Sequence, residues 1–144
     1  MLTHPPKDLI LLVNSIGPYT VVERIASGGM GEIYVAKLQR EAGFEKLVAV
    51  KRILPHLAHD EGFVRMFEAE ARLSALLTHR NIVQVYDFGR SDNETYLAME
   101  FVDGFNVRVL QDMRRKQGIE IPLSISARIA ASTARVLDYA YRRH

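Results

Sequence analysis

Four features of this sequence have the residue types and spacing to do chemistry. The first is Ser27-Gly28-Gly29-Met30-Gly31. Glycine lets a backbone bend sharply and come close to a ligand. A strand, a glycine turn and a second strand can together lay N–H groups over phosphates. Alone, a Gly-Gly hairpin is more often just a turn. Two other phosphate-binding arrangements do not fit. The P-loop ends in Gly-Lys-Ser/Thr, which is missing, and a dinucleotide-binding turn opens a helix, whereas here a strand follows.

The second feature is Val48-Ala49-Val50-Lys51. Side chains of a strand alternate, so Ala49 and Lys51 share one face and Val48 and Val50 the other. A small residue beside a cation leaves room for a flat ring and offers charge to a phosphate. The plainer alternative is a surface lysine on an edge strand. The third feature is Glu70, set in the apolar stripe Phe63, Phe67, Ser74 and Leu77, which Met66 and Leu73 widen. A carboxylate facing inward costs desolvation energy unless it finds a partner, and Lys51 is the obvious one. If the stripe is rotated, Glu70 is simply solvated. The fourth feature is Met99-Glu100-Phe101-Val102-Asp103-Gly104, a strand ending at a glycine. It reads as a joint between two lobes whose backbone could meet an adenine edge.

These features need elements to hold them. Gly17-Pro18 marks a turn. Tyr19–Ile25, Glu32–Leu38 and Leu47–Ile53 read as strands, the first two forming a hairpin across the glycines. Pro55 closes the third. A helix follows, with Asp60 as its cap and Glu61 in its first turn. Residues 82–89 and 95–101 read as two more strands joined at Ser91-Asp92-Asn93. Asn106–Gln117 reads as a helix stopped by Gly118, and Leu123–His144 as a second one. Strands grouped with short loops and few crossovers predict an α+β fold with an antiparallel sheet.

Composition sets the outer limits. The chain has 144 residues, 48% hydrophobic and 25% charged, as a folded globular domain does. A net charge of +2 implies no nucleic-acid or membrane-surface field. There are no cysteines, so disulfides and thiolate metal sites are ruled out, which fits a reducing cytoplasm. The run Leu9–Val13 is too short to span a bilayer, and Asp8 beside it argues against a secretory signal. It is expected to pack on the domain as a leader. The five histidines show no metal-ligand spacing.

Taken in order, the features resemble the protein kinases, especially the bacterial eukaryotic-like serine/threonine kinases. The family's Gly-x-Gly-x-x-Gly loop falls on Ala26-Ser27-Gly28-Gly29-Met30-Gly31, followed by Glu32-Ile33-Tyr34. Its Val-Ala-Ile-Lys is Val48-Ala49-Val50-Lys51, and its helix glutamate is Glu70. Its His-Pro-Asn-Ile-Val appears as His79-Arg80-Asn81-Ile82-Val83. The resemblance covers residues 19–144. It implies a leader over 1–18, a small ATP-binding lobe over 19–101 with a five-stranded antiparallel sheet and one main helix, and a hinge with the first two large-lobe helices over 102–144. It also implies site roles. Ile25 and Ile33 would pack on adenine, with Ala49 at its ceiling and Met99 behind it. The backbones of Glu100 and Val102 would bond its edge. Ser27, Gly28, Gly29, Met30 and Gly31 would cover the phosphates. Lys51, held by Glu70, would contact the α- and β-phosphates. The partners implied are ATP, with Mg2+ in the full-length protein, and protein serine or threonine hydroxyls.

Two positions depart from the family pattern. Ala26 replaces the first glycine, which is tolerable if its φ is negative. Arg80 replaces a proline in a turn and carries no assigned function. The family's catalytic-loop Asp and Asn and its Asp-Phe-Gly find no match among Asp60, Asp87, Asp92, Asp103, Asp112 or Asp138. The expectation is therefore a nucleotide cradle without the groups that transfer phosphate, cut from an active kinase. The alternatives are a short nucleotide-binding or interaction module, or a pseudokinase-like scaffold. The final helix is apolar on most of its surface, which predicts an exposed face and self-association.

Overall fold

The alternating runs fold as strands, and the computed structural model describes residues 14–90 and 94–143. The Leu9–Val13 leader and the Ser91-Asp92-Asn93 turn lie outside those residues. The elements in chain order are β1 (Ser15–Ile16), β2 (Tyr19–Ser27), β3 (Gly31–Gln39), β4 (Glu45–Ile53), α1 (Glu61–Ala75), β5 (Val85–Arg90), β6 (Thr95–Glu100), α2 (Val107–Lys116) and α3 (Leu123–Tyr141). The strands form one antiparallel sheet in the order β1-β2-β3-β4-β6-β5. The expected α+β small lobe is present. The sheet has a sixth strand because β1, within the segment read as leader, pairs with the start of β2. Its Ile16 is fully buried.

The chain divides into two compact units. One comprises the described residues up to Leu76 together with Gln84–Phe101, and the other Leu77–Val83 together with the residues from Val102 onward. In the first unit, the pleat separates two apolar clusters on opposite faces of the sheet. On one face Tyr19, Tyr34, Ala36, Val48, Val50, Tyr96 and Ala98 gather around Ile16. Tyr19 and Tyr96 meet edge to face with ring centroids 5.8 Å apart. The Tyr96 side chain lies against the backbone of both Gly17 and Gly89, where a Cβ would come within 2.4 Å of it at Gly17 and 2.1 Å at Gly89. Gly17 also has φ +52°, a turn geometry that suits glycine. On the other face, Ile53 and Leu97 receive Val64, Phe67 and Ala71 of α1.

Helix α1 begins where the sequence predicts. Asp60 caps it, its Oδ1 accepting from the Gly62 and Phe63 N–H groups at 2.8 and 3.3 Å, a contribution of about 1 kcal/mol. Its buried face differs from the expected stripe. Val64, Phe67 and Ala71 are buried, whereas Met66, Glu70 and Leu73 are exposed. The helix is thus turned so that Glu70 lies at the margin of the apolar face, and it avoids most of the desolvation cost.

In the second unit, the Asn106 side chain caps α2 by accepting from the Val109 N–H at 2.9 Å, and Gly118, at φ +68°, follows its end. Tyr139 on α3 holds the 77–83 segment. Its hydroxyl donates to the Thr78 carbonyl at 2.9 Å and accepts from the Thr78 N–H at 3.2 Å. The His79 ring lies 5.2 Å from the Tyr139 ring, and its Nδ1 accepts from the Asn81 N–H at 3.1 Å. Arg80 is exposed in this turn. No helix among the described residues is long and apolar enough to cross a membrane.

Candidate nucleotide site

The site is laid out by strand register. Lys51 on β4 is paired with Ile33 on β3 and with Leu97 on β6. Ala49 is paired with Val35 and Met99. Directly opposed residues of antiparallel strands point to one face, so Ile33, Val35, Ala49, Lys51, Leu97 and Met99 share it. This is the face that α1 packs on. Ala49 and Lys51 therefore stand where alternation places them, and the alternative of a lone lysine on an edge strand is set aside: β4 is interior to the sheet.

Phe67 anchors α1 to the sheet, and Glu70 follows one turn later. Lys51 Nζ reaches both Glu70 oxygens, Oε1 at 2.7 Å and Oε2 at 2.9 Å. The ammonium also lies 5.3 Å from the centroid of the Phe67 ring, within cation–π range. Phe67 is backed in turn by Phe88 of β5, at 6.2 Å between centroids. A fixed cation in a partly solvated place is suited to receive an anionic ligand.

The glycine loop closes the end of the β2–β3 hairpin. Ser27 pairs with Glu32 across it, and Gly28 N–H donates to the Gly31 carbonyl at 2.9 Å. Gly28 and Gly29 are exposed; a Cβ would meet open space at Gly29 and, at Gly28, only the Gly31 carbonyl oxygen in ordinary contact at 4.0 Å. Gly31 is different: a Cβ there would stand 2.6 Å from the Arg52 carbonyl oxygen, so β4 can pass only a glycine at this distance. The Met30 carbonyl accepts from Leu54 N–H at 3.3 Å. Together these contacts tie the later half of the loop to the end of β4. Met30 lines a narrow crevice with Lys51, Ile53, Phe63, Met66, Phe67 and Glu70.

Ala26 pairs with Ile33 and does not have the positive φ that would require glycine. Ile25 falls at a register shift in β2 and is half-exposed. Ala49 is 7% exposed. Glu100 N–H is committed to the Gln84 carbonyl at 2.8 Å, so the backbone group this residue can offer a ligand is its carbonyl. Val102 is exposed and belongs to the second unit.

A charged network not anticipated from the sequence braces the opposite face of the hairpin. Glu32 accepts from Arg24 at 2.7 Å, from the Tyr34 hydroxyl at 2.6 Å and from Arg52 at 3.3 Å. Burial alone would raise the Glu32 carboxyl, but these donors outweigh it and hold it below the usual carboxylate range. The clue was the shared parity of Glu32 and Tyr34, with Arg52 opposite Glu32 in register. Among the described residues, no three His, Asp or Glu side chains group to hold a metal ion.

Comparison with known proteins identifies the family. The family model for the protein kinase domain matches residues 19–144. The chain is 39% identical over 133 residues to the tyrosine-protein kinase MasK of Myxococcus xanthus, covering 92% of this chain and 21% of that protein. It is 34% identical over 125 residues to the serine/threonine-protein kinase PknI of Mycobacterium tuberculosis, covering 87% of this chain and 20% of that protein. The chain thus spans about a fifth of the length of these relatives. A crystal structure of the PknI kinase domain superimposes with a TM-score of 0.66 at 32% identity, covering 90% of this chain and 51% of that one.

Proposed function

Because this chain belongs to the protein kinase family, we propose that it is the ATP-binding part of a serine/threonine protein kinase that transfers the γ-phosphoryl of ATP to protein hydroxyls. The observation that carries this reading is the Lys51–Glu70 pair, with both carboxylate oxygens within 2.9 Å of Nζ. Lys51 would meet the α- and β-phosphates, and Glu70 would keep its ammonium over them rather than free in solvent. Ser27 to Gly31 would cover the phosphates with backbone N–H groups. Ile25, Ile33 and Ala49 would wall the adenine, Met99 would stand behind it, and the Glu100 carbonyl would accept from its edge.

In the transfer, the hydroxyl oxygen bonds to the γ-phosphorus and gives up its proton, the bond to the β–γ bridging oxygen breaks, and ADP leaves. This chain's part is positioning and charge: it holds the donor end still and offsets negative charge on the phosphates. Magnesium accompanies ATP in such reactions, but the described residues do not supply a fitting ligand set for it. Use of ATP as donor supports a cytoplasmic reading for this lobe.

The test is phosphotransfer from labelled Mg-ATP by the full-length protein carrying this chain, beside its Lys51→Met variant. Label on protein that is lost in the variant supports the reading. Equal labelling in both, or none in the unaltered protein, defeats it. Acid hydrolysis of the labelled protein then identifies the acceptor. The 39% identity to a relative named as a tyrosine kinase makes phosphotyrosine the specific competing outcome.

A further inference from the structure

The sequence has five methionines and no cysteine. Four of the methionines lie among the described residues. Met99 and Met113 are half-buried. Met30 and Met66 are 46% and 49% exposed. The two exposed methionines come from different elements, the glycine loop and α1, yet both line a crevice that also contains Lys51 and Glu70. The crevice brings the two methionines together with Phe63, Phe67 and Ile53 and with the Lys51–Glu70 ion pair.

We propose that Met30 and Met66 form an oxidation site at which peroxide disables the Lys51–Glu70 pair. This rests on the kinase reading for its consequence, though not for its chemistry. The thioether sulfur attacks one oxygen of hydrogen peroxide, the O–O bond breaks, and an S–O bond forms. Sulfur gives up two electrons, the second oxygen leaves as water, and the protein gains one oxygen atom. With no thiol in the chain to react first, methionine is the group on this surface open to such reversible oxidation. The product is polar and its oxygen is a strong hydrogen-bond acceptor. In this crevice the Lys51 ammonium is the cationic donor, so the sulfoxide oxygen competes with Glu70 for it. The same oxygen is unwelcome between Phe63 and Phe67, and α1 is pushed from the loop.

The experiment treats the full-length protein with hydrogen peroxide and reads two things. Peptide mass gives the order of oxidation, and labelled ATP gives the phosphotransfer rate. Met30 and Met66 gain oxygen before Met99 and Met113, the rate falls several-fold in step, and methionine sulfoxide reductase restores it. The Met30→Leu/Met66→Leu variant, compared with its own untreated rate, loses no further activity on treatment. Oxidation of Met99 or Met113 at an equal pace overturns the site. Full oxidation of Met30 and Met66 with an unchanged rate, or an equal loss in the double variant, overturns its consequence. If the untreated protein transfers no phosphate, the kinase reading fails, and the order of oxidation decides the modification site alone.

Discussion

Glu70 holds Lys51 through both of its oxygens, yet it is itself half in water, its side chain 47% exposed against 21% for Lys51. A pair so placed contributes little to folding, about 0–1 kcal/mol. Its value lies in where it keeps the ammonium. Glu70→Gln should therefore leave the melting temperature nearly unchanged. It should lower phosphotransfer by the full-length protein by about tenfold or more, since a hydrogen bond to a charged group is worth ~1.5–3 kcal/mol. Lys51→Met should abolish transfer. Thermal melts beside ATP kinetics separate the two effects, and a large stability loss in Glu70→Gln would contradict this view.

The glycines of the loop are not equivalent. Gly29 has no atom within 4 Å of where a Cβ would go, whereas at Gly31 that Cβ meets the Arg52 carbonyl oxygen at 2.6 Å. Gly29→Ala should cost almost nothing in stability. Gly31→Ala should cost ~1–3 kcal/mol, because backbone rather than a side-chain tip must move. It should also weaken ATP binding by shifting β3 against β4. Denaturant melts and nucleotide titration of both variants check the contrast.

Acid should loosen the hairpin through Glu32. Its folded pKa is held below the ordinary value, first against burial and then by Tyr34, Arg24 and Arg52. The carboxylate therefore contributes stability that is fully present above the unfolded pKa of about 4.3 and is lost as pH falls through the lower folded value. Melting temperature recorded from neutral pH down through that range should fall more steeply for the unaltered protein than for Glu32→Gln.

The second unit leaves apolar surface in water. Leu123, Ile125, Ile129 and Leu137 of α3 are all exposed, and Ile125, Ile129, Val136 and Leu137 line an open groove with Asn81 and Arg128. The 144-residue chain is expected to bind an apolar dye and to self-associate, and Ile129→Lys should reduce both. Light scattering and dye fluorescence on the two chains would show it; a dye-silent monomer would count against it.

Much of this was legible in the sequence. Alternation put Ala49 and Lys51 on one face, Asp60 and Asn106 announced their helices, and Glu70 was marked as the lysine's partner. The turn of α1 was not legible. Met66 and Leu73 make the helix apolar over so wide an arc that several rotations fit, and only contact with Ile53 and Leu97 selects Val64, Phe67 and Ala71. Nor could two residues, Ser15 and Ile16, show a period. The Arg24–Glu32–Arg52 network depends on register, and alternation gives a residue's face but not its neighbour. Shifts in β2 around Val22 and Ile25 moved Ala26 opposite Ile33 in a way no spacing rule reports.

The Tyr96 ring occupies the space that side chains at Gly17 and Gly89 would need. Those three positions are consequently bound together in descent. A line of proteins that enlarges either glycine must first accept a smaller residue at 96, and one that keeps the tyrosine inherits both glycines with it. Gly17 is far in sequence from the other two, so their joint variation among relatives would carry the contact between the β1–β2 turn and the outer edge of the sheet as a written record.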